Sequence, residues 1–480
     1  MNESVWSDGC KFEERETLNQ DVKADVLVIG AGMAGLLTAF NLQKAGMDVM
    51  VIESGRIADG ITKNTTAKIT AQHGLIYSKL VKSFGEEIAR KYAGANTKAI
   101  EEYARLTEEM SIECDFERKP AYVYSTDDDQ TIEDEVEAAR LAGIDAEFTT
   151  DTKLPFPVNG AVRFPDQAQF NPLKFLKAIS KDLRVYERTK ALEVNDGVTT
   201  TERATVKADK VVVTTHFPFI NVPGYYFMRM YQQRSYVLAL QNAAQVDGMY
   251  IGADDSGYSF RNYKDLLIFG GEGHRSGKSG GVSRYESLRE AALRFYPDSQ
   301  EAYRWSAQDC MSLDGIPYIG RYASSTPELF VATGFNKWGM TSSMVSAMLL
   351  SDLITGHDNE FAEAFDPTRF NVSASAKNLV TNGAQTISSL ISETFSLPDE
   401  ELEKLPKGQG GIVEHDGEKV GVYRDEDGRA FVVTTKCPHL GCQLEWNQDE
   451  LSWDCPCHGS RFDYTGKLLD DPALKGLQDE

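Results

Sequence analysis

At 480 residues, with 41% hydrophobic and 26% charged side chains, the chain has the make-up of a soluble globular protein and is too long for a single core. A formal net charge of -23 argues against nucleic acid or an anionic membrane face as a partner, because phosphates would be repelled. The opening MNESVWSDGCKFEERETLNQ mixes both charges and holds no apolar run, so no signal peptide is expected and the cytoplasm is the expected location.

Residues 24–30 (ADVLVIG) are an apolar run ending in glycine, which predicts a buried parallel strand. Residues 32–45 continue at helical spacing, with Leu36, Leu37, Phe40 and Leu42 on the face toward a sheet. Residues 48–53 (DVMVIE) predict the next strand, completing a βαβ unit. Further strands are expected at 121–125, 210–215 and 266–269. Helices are expected at 86–109 and 171–180, the second with Asn171 as N-cap and Pro172 in the first turn. The apolar stretch 338–354 carries Thr341, Ser342, Ser343, Ser346, Ser351 and Asp352, which suits a buried helix and not an integral membrane segment. A polar stretch over 373–407 reads as a linker. From Gly408 the chain turns to short strands separated by HDGE and RDEDG, an all-β pattern.

Gly30-Ala31-Gly32-Met33-Ala34-Gly35 closes the first strand and opens the first helix, and Glu53 ends the second strand. In a GxGxxG fingerprint Gly30 allows the tight turn, Gly32 lets backbone approach a pyrophosphate, and Gly35 lets the helix pack on the strand. The helix N-terminus favours phosphate, and Glu53 can accept hydrogen bonds from ribose hydroxyls. Residues 25–74 resemble the N-terminal signature of the glycine/sarcosine/D-amino-acid oxidase family of flavoproteins, ending in the loop GITKNTTAKITAQHG. DGIPYIG (314–320) and residues 328–356 resemble that family's closing motif, and residues 186–218 match its adenine-side strands. The resemblance implies FAD as cofactor, with Thr62, Thr65 and Thr66 on the loop that wraps it. It also implies that Gly334, Gly339, Met340 and Thr341 lie in the turn and helix start that meet the flavin ring. The other glycine cluster, GGEGHRS (270–276), lacks the third glycine, so no NAD(P)H site is expected.

Seven cysteines are present. Cys10, Cys114 and Cys310 are scattered, whereas CPHLGC (437–442) and CPCHGS (455–460) hold the other four. Cys-x-His with Cys-x-x-His offers two thiolates and two imidazoles, the ligand set of a mixed 2Fe–2S cluster. Zinc competes for the same atoms but leaves Cys442 and Cys457 without a role. Residues 407–477 resemble the Rieske family. That resemblance implies Cys437 and Cys455 on one iron, His439 and His458 on the other, and a Cys442–Cys457 disulfide bracing the loops. It implies that Ser460 donates to a bridging sulfide and that DPAL (471–474) is the proline loop over the cluster. Phe462 stands where high-potential members carry a tyrosine, which removes one hydrogen-bond donor.

The expected fold is α/β plus all-β: a Rossmann-like FAD-binding domain with an interleaved α+β substrate domain, then a small antiparallel β Rieske domain. The oxidoreductase occupies 1–370, its FAD-binding part being 22–75, 160–220 and 305–370 and its substrate part 76–159 and 221–304. A linker (371–406) precedes the Rieske domain (407–480). His73, which follows the flavin-wrapping loop, is the first catalytic candidate, with His216 and His274 as other histidines able to line the cavity. Asp309 stands five residues before Asp314, where amino-acid-oxidising members commonly carry an arginine that grips the substrate carboxylate. A pocket-facing anion there disfavours carboxylates and favours a neutral or cationic substrate such as an amine. Alternatively Asp309 points into the protein, pairs with Arg304 or another cation, and only fixes its loop. The expected activity is an FAD-dependent dehydrogenase oxidising a small C–N or C–H substrate and passing electrons singly through the cluster to an external one-electron acceptor. The alternatives are an electron-transfer component for a separate oxygenase, and a non-enzymatic redox sensor.

Overall fold

Val26, Leu27, Val28 and Ile29 are all buried, so the strand Val22–Ile29 sits inside a sheet covered on both faces. In the computed structural model, which describes residues 3–255, 257–278, 283–369, 405–415 and 418–477, this strand is central to an eight-stranded sheet. It pairs in parallel with Thr205–Val213 on one side and Val49–Ile52 on the other. Leu329–Thr333 and Arg184–Tyr186 extend the parallel set, and Tyr318–Arg321 closes one edge antiparallel. The helices Met33–Lys44 and Gly339–Thr355 pack on each other, and Glu86–Glu109 packs on the second. Helix Pro172–Ile179 starts as its sequence predicts: Asn171 Oδ1 accepts from the backbone N–H groups of Leu173 and Lys174.

A nine-stranded sheet forms the second layer, in the order Gln300–Ser312, Met230–Gln241, Leu266–Arg275, Ser259–Tyr263, Met249–Gly252, Glu117–Ser125, Gly160–Gln169 and Lys68–Ile69, with Glu147–Thr149 on the side of Gly160–Gln169. Residues 160–169, 305–312 and 68–69, which the sequence groups with the FAD-binding part, pair within this second sheet. Period-2 patterning identifies a strand but not its sheet, because pairing is set by partners far along the chain.

The C-terminal unit is all-β, as expected: three antiparallel strands (Gly410–His415, Glu418–Arg424, Ala430–Thr434) and four shorter ones (Glu445–Asn447, Ser452–Asp454, Arg461–Asp463, Leu468–Asp470). Val433, Leu444, Trp453 and Phe462 form its core. The expected linker lies largely outside the described residues. Among the described residues no helix is long and apolar enough to cross a membrane.

Candidate functional site

The GxGxxG turn lies at the carboxyl end of the central strand. Gly30 holds φ +109, and a Cβ there would sit 2.8 Å from the Thr214 carbonyl oxygen. A Cβ on Gly35 would strike the Gly30 carbonyl at 1.9 Å. Both positions therefore require glycine for close backbone approach. Glu53 Oε2 accepts from Ala31 N–H (2.8 Å) and Oε1 from Gly55 N–H (2.8 Å), which fixes the carboxylate beside the turn. Thr62 Oγ1 accepts from Met33 N–H at the helix start (3.1 Å). Gly30, Gly32, Glu53 and Thr62 open onto one cavity of ≈ 1790 Å³. A glycine cradle at a helix N-terminus with a carboxylate across it fits the pyrophosphate and ribose of a dinucleotide.

Beyond Asn64 the expected flavin loop does not line this cavity. Thr65 and Thr66 sit in a segment held from behind: Trp6 donates to the Thr65 carbonyl (2.7 Å), and buried Arg261 to the carbonyls of Thr66 and Ala67 (2.8 Å each). Thr341 Oγ1 accepts from Thr70 N–H and donates to Thr70 O (2.9 Å each), and Tyr103 donates to Met340 O (2.7 Å). These bonds bring the loop and the start of the Gly339–Thr355 helix together, with Gly334 in a left-handed turn just before it.

His73 is not among the cavity residues. Its ring nitrogens contact Tyr92 Oη (2.5 Å) and Thr70 O (2.6 Å), and its ring stacks on Trp338 at 4.8 Å. Burial holds it neutral, pulling its pKa down to about 3. His216 does line the cavity, and its Nε2 is buried without a partner. Asp309 stands half-buried opposite Gln233 in the second sheet. Burial raises its pKa, and Lys337, His216 and Arg234 oppose that rise. Arg304, the partner considered from sequence, instead faces Glu301 at 3.8 Å. Lys337 is the residue that sequence reasoning missed. It sits at φ +72 in the turn before the last helix, and its Nζ donates to Ser235 Oγ (3.1 Å). With Lys337 beside it, Asp309 is not a lone anion.

Two loops of the C-terminal unit repeat one design. Gly441 N–H donates to Cys437 O (2.9 Å) and Gly459 N–H to Cys455 O (3.0 Å), each glycine left-handed. The loops place the free, buried Cys437 and Cys455 side by side, and the rings of His439 and His458 5.0 Å apart at 90°. Both Nδ1 atoms are buried without a partner. Burial pulls the two imidazoles down to about 4 and about 3, so both are neutral and able to ligate. Two paired thiols facing two orphaned imidazole nitrogens fit a mixed-ligand iron–sulfur cluster. The sulfurs of Cys442, Cys455 and Cys457 also cluster within 4.8 Å, but Cys442 and Cys457 form a disulfide and are spent. Ser460 Oγ accepts from Ala473 N–H (3.0 Å) and its side chain meets Cys437, while Phe462 lies fully buried behind the loops.

Comparison with known proteins agrees with both halves of this geometry. Residues 25–353 match the family model described as FAD dependent oxidoreductase. The chain belongs to that family. Residues 396–479 match the Rieske [2Fe-2S] domain. The putative Rieske 2Fe-2S iron-sulfur protein YhfW of Bacillus subtilis (strain 168) is 37% identical, over 99% of this chain and 97% of its own. Gamma-glutamylputrescine oxidoreductase of Escherichia coli (strain K12) is 22% identical, over 74% of this chain and 88% of its own. The fold of glycine oxidase from Geobacillus kaustophilus superposes with a TM-score of 0.59 at 19% identity, covering 72% of this chain and 99% of that one. The cofactors are FAD and a 2Fe–2S cluster.

The Rieske domain docks on the flavoprotein body through its cluster loops. Gln232 Nε2 donates to His458 O (2.7 Å), Gln308 Nε2 to Gly459 O (2.8 Å), and Arg275 to the carbonyls of Pro456 and Cys457 (3.0 Å each). A buried ion pair, Arg234–Glu450 at 2.6 Å, joins the two domains, and Arg461 holds the same carboxylate at 3.0 Å. The packing is close enough that a Cβ on Gly277 would lie 2.5 Å from Pro456 N. Asn221 Oδ1 lies 3.3 Å from His439 Nε2, and Phe227 meets both ligand-type histidines edge-on. The large cavity continues under this interface: Gln232 and Gln308 line it from the body, Glu450 and Asp471 from the Rieske domain. Asp471, pushed up to about 7 chiefly by burial, lies near Lys190, Asp470 and Glu53.

Proposed function

We propose that this chain is an FAD-dependent dehydrogenase that oxidises a small C–N or C–H substrate and passes the electrons one at a time through its Rieske cluster to an external one-electron acceptor. FAD takes two electrons together and releases them singly, and a 2Fe–2S cluster takes one, so the fusion works as a converter. In this reading Gly30, Gly32, Gly35 and Glu53 hold the dinucleotide, and Thr62 anchors the helix start. Thr65, Thr66, Gly334, Gly339, Met340 and Thr341 shape the flavin-ring end. Cys437 with Cys455 and His439 with His458 ligate the two irons, the Cys442–Cys457 disulfide braces the loops, and Ser460 and Phe462 border the sulfur ligands.

The observation that carries the reading is one cavity lined both by the GxGxxG turn and by Glu450, Arg461 and Asp471 of the docked Rieske domain. Gln232 and Gln308, which also line that cavity, hold the His458 loop against the body. An amine is the favoured substrate class, supported by the relative named for gamma-glutamylputrescine. His73, with both nitrogens engaged, acts on the flavin end by fixing the Thr70 loop.

Anaerobic photoreduction of the flavin tests the relay. A paramagnetic signal from the reduced cluster is expected to follow flavin bleaching, and neither NADH nor NADPH should bleach the flavin at a useful rate. Reduced flavin beside a cluster that stays oxidised would sink the relay. An anaerobic bleaching screen of amines, amino acids and hydroxy acids then names the substrate class.

A further inference from the structure

The described residues expose twelve large hydrophobic side chains, and four of them lie on two segments that meet at His439: Val222 (61% exposed), Tyr225 (47%), Met228 (56%) and Leu440 (48%). The first three project from the body segment 221–229, which is tied into a compact turn by Tyr225 N–H to Asn221 O (2.9 Å) and Met228 N–H to Tyr225 O (3.0 Å). Leu440 follows His439 directly. The same segment touches the cluster loops from within, through Asn221 to His439 and Phe227 to both imidazoles.

The two histidines differ in access. His458 is 5% exposed and its loop is clamped by Gln232, whereas His439 is half-buried and faces the turn that carries the apolar residues. One imidazole thus sits in the loop clamped by Gln232, and the other sits under the turn that carries the exposed apolar residues. We propose that the apolar surface formed by Val222, Tyr225, Met228 and Leu440 is the docking site of a one-electron carrier protein, which takes its electron at the His439 edge. The proposal rests on the relay reading above and adds where the acceptor binds and what kind of molecule it is.

Three observations select a protein over a small molecule. None of the four residues lines the large cavity, so the patch offers a small ligand little enclosure. The patch joins two domains and continues the surface on which the 221–229 segment already meets the Rieske domain, as a protein interface does. The chain carries a net charge of -23, so a carrier with cations around an apolar contact face would be steered toward it. The transfer makes and breaks no bond: the reduced cluster loses one electron, and the oxidised centre of the carrier gains it.

The test uses the full chain loaded with both cofactors, and a cationic mitochondrial cytochrome c as the probe. The protein is photoreduced without oxygen, the cluster signal is recorded, and the probe is then mixed in. Re-oxidation is followed by stopped flow, and binding of the oxidised proteins by calorimetry at several salt concentrations. Met228→Lys and, separately, Val222→Lys should each weaken salt-sensitive binding and slow re-oxidation by about tenfold, the effect of losing one contact hot spot and adding a like charge. Re-oxidation by ferricyanide and the flavin and cluster spectra should stay as in the wild type, which also shows that the variants fold. Wild-type rates with cytochrome c in both variants, or no salt-sensitive binding by the wild type, would overturn the proposal. So would a selective loss of re-oxidation by a short-chain quinone, since that would put a small molecule on the patch. Failure of the relay shows earlier in the same sample, as bleached flavin with no cluster signal.

Discussion

The cluster loops and the sheet wall around Asp309 are both built from buried titratable groups, but their parts come together by different routes. Each loop is local: Cys437 and His439, or Cys455 and His458, are brought together by one turn closed by the same glycine hydrogen bond. The wall is assembled from strands and turns far apart in the chain, with Asp309, His216, Arg234 and Lys337 each on a different element. A local site carries its chemistry in its spacing. A wall of this kind carries a net charge that no single residue reveals, so the anion at position 309 predicts a repulsive pocket only until Lys337 is placed beside it.

The sharpest way to break this comparison is at the loops. Cys455→Ser or His458→Ala should abolish the mixed nitrogen/sulfur paramagnetic signal completely, and a wild-type signal from an all-sulfur cluster would end the assignment. Next comes the interface that joins the regions. Arg234→Ala leaves a largely buried carboxylate with Arg461 as its one cationic partner beside Ser306 and Asn447, and should cost about 3 kcal/mol of docking stability. Hydrogen exchange over residues 449–461 would read this as lost protection.

The same carboxylate gives docking a pH limb. Burial alone would raise the pKa of Glu450, but Arg234 and Arg461 prevail and hold it at about 2, below its usual 4.5. A carboxyl depressed in this way contributes its full stability above pH 4.5 and loses it as pH falls toward 2. The contribution is at most about 3 kcal/mol. Glu450→Gln should flatten that limb in a thermal-unfolding series between pH 5 and pH 3, and an unchanged slope would remove Glu450 from the account.

Behind the cavity lining of His216 and Arg234, Asp309→Asn and Lys337→Met should shift substrate preference in opposite directions through their charge, each by about tenfold in KM, roughly 1.4 kcal/mol. The first should weaken a cationic amine and the second an anionic substrate. Equal losses for both substrates would mean that the pair only holds the strand to the turn. The smallest effect is expected at Phe462, whose replacement by tyrosine adds one hydrogen bond to a ligand sulfur. Such a bond is worth about 1 kcal/mol, so the cluster potential should rise by roughly 40 mV. Voltammetry showing no rise, with the cluster intact, would place the new hydroxyl elsewhere.

What could be read from the sequence follows the same division. Gly30, Glu53, Asn171 and the two Cys/His runs lie in segments whose neighbours decide their conformation, so their elements are visible in one stretch of chain. The membership of residues 160–169 in the second sheet is not, because their partners lie in Glu117–Ser125 and Lys68–Ile69. His73 follows the flavin loop in sequence, but its ring is held by Tyr92, on the Glu86–Glu109 helix, and by Trp338, just before the Gly339–Thr355 helix. Arg234 and Glu450 are separated by more than two hundred residues and read as ordinary charges until the domains dock.

One feature of the docked domains reaches beyond electron flow. Lys190 of the body donates to Leu474 O at 2.6 Å, and the Rieske segment around Asp470, Asp471 and Leu474 forms part of the cavity that opens at Gly30 and Glu53. FAD held in that cavity would contact both domains at once, and its binding would then be thermodynamically linked to docking. Whatever favours the docked arrangement slows loss of the cofactor, and free FAD in turn favours docking by RT ln(1 + [FAD]/Kd). Flavin supply would then set how much of the protein holds its iron–sulfur domain in place, the organic cofactor serving as a scaffold for the inorganic one.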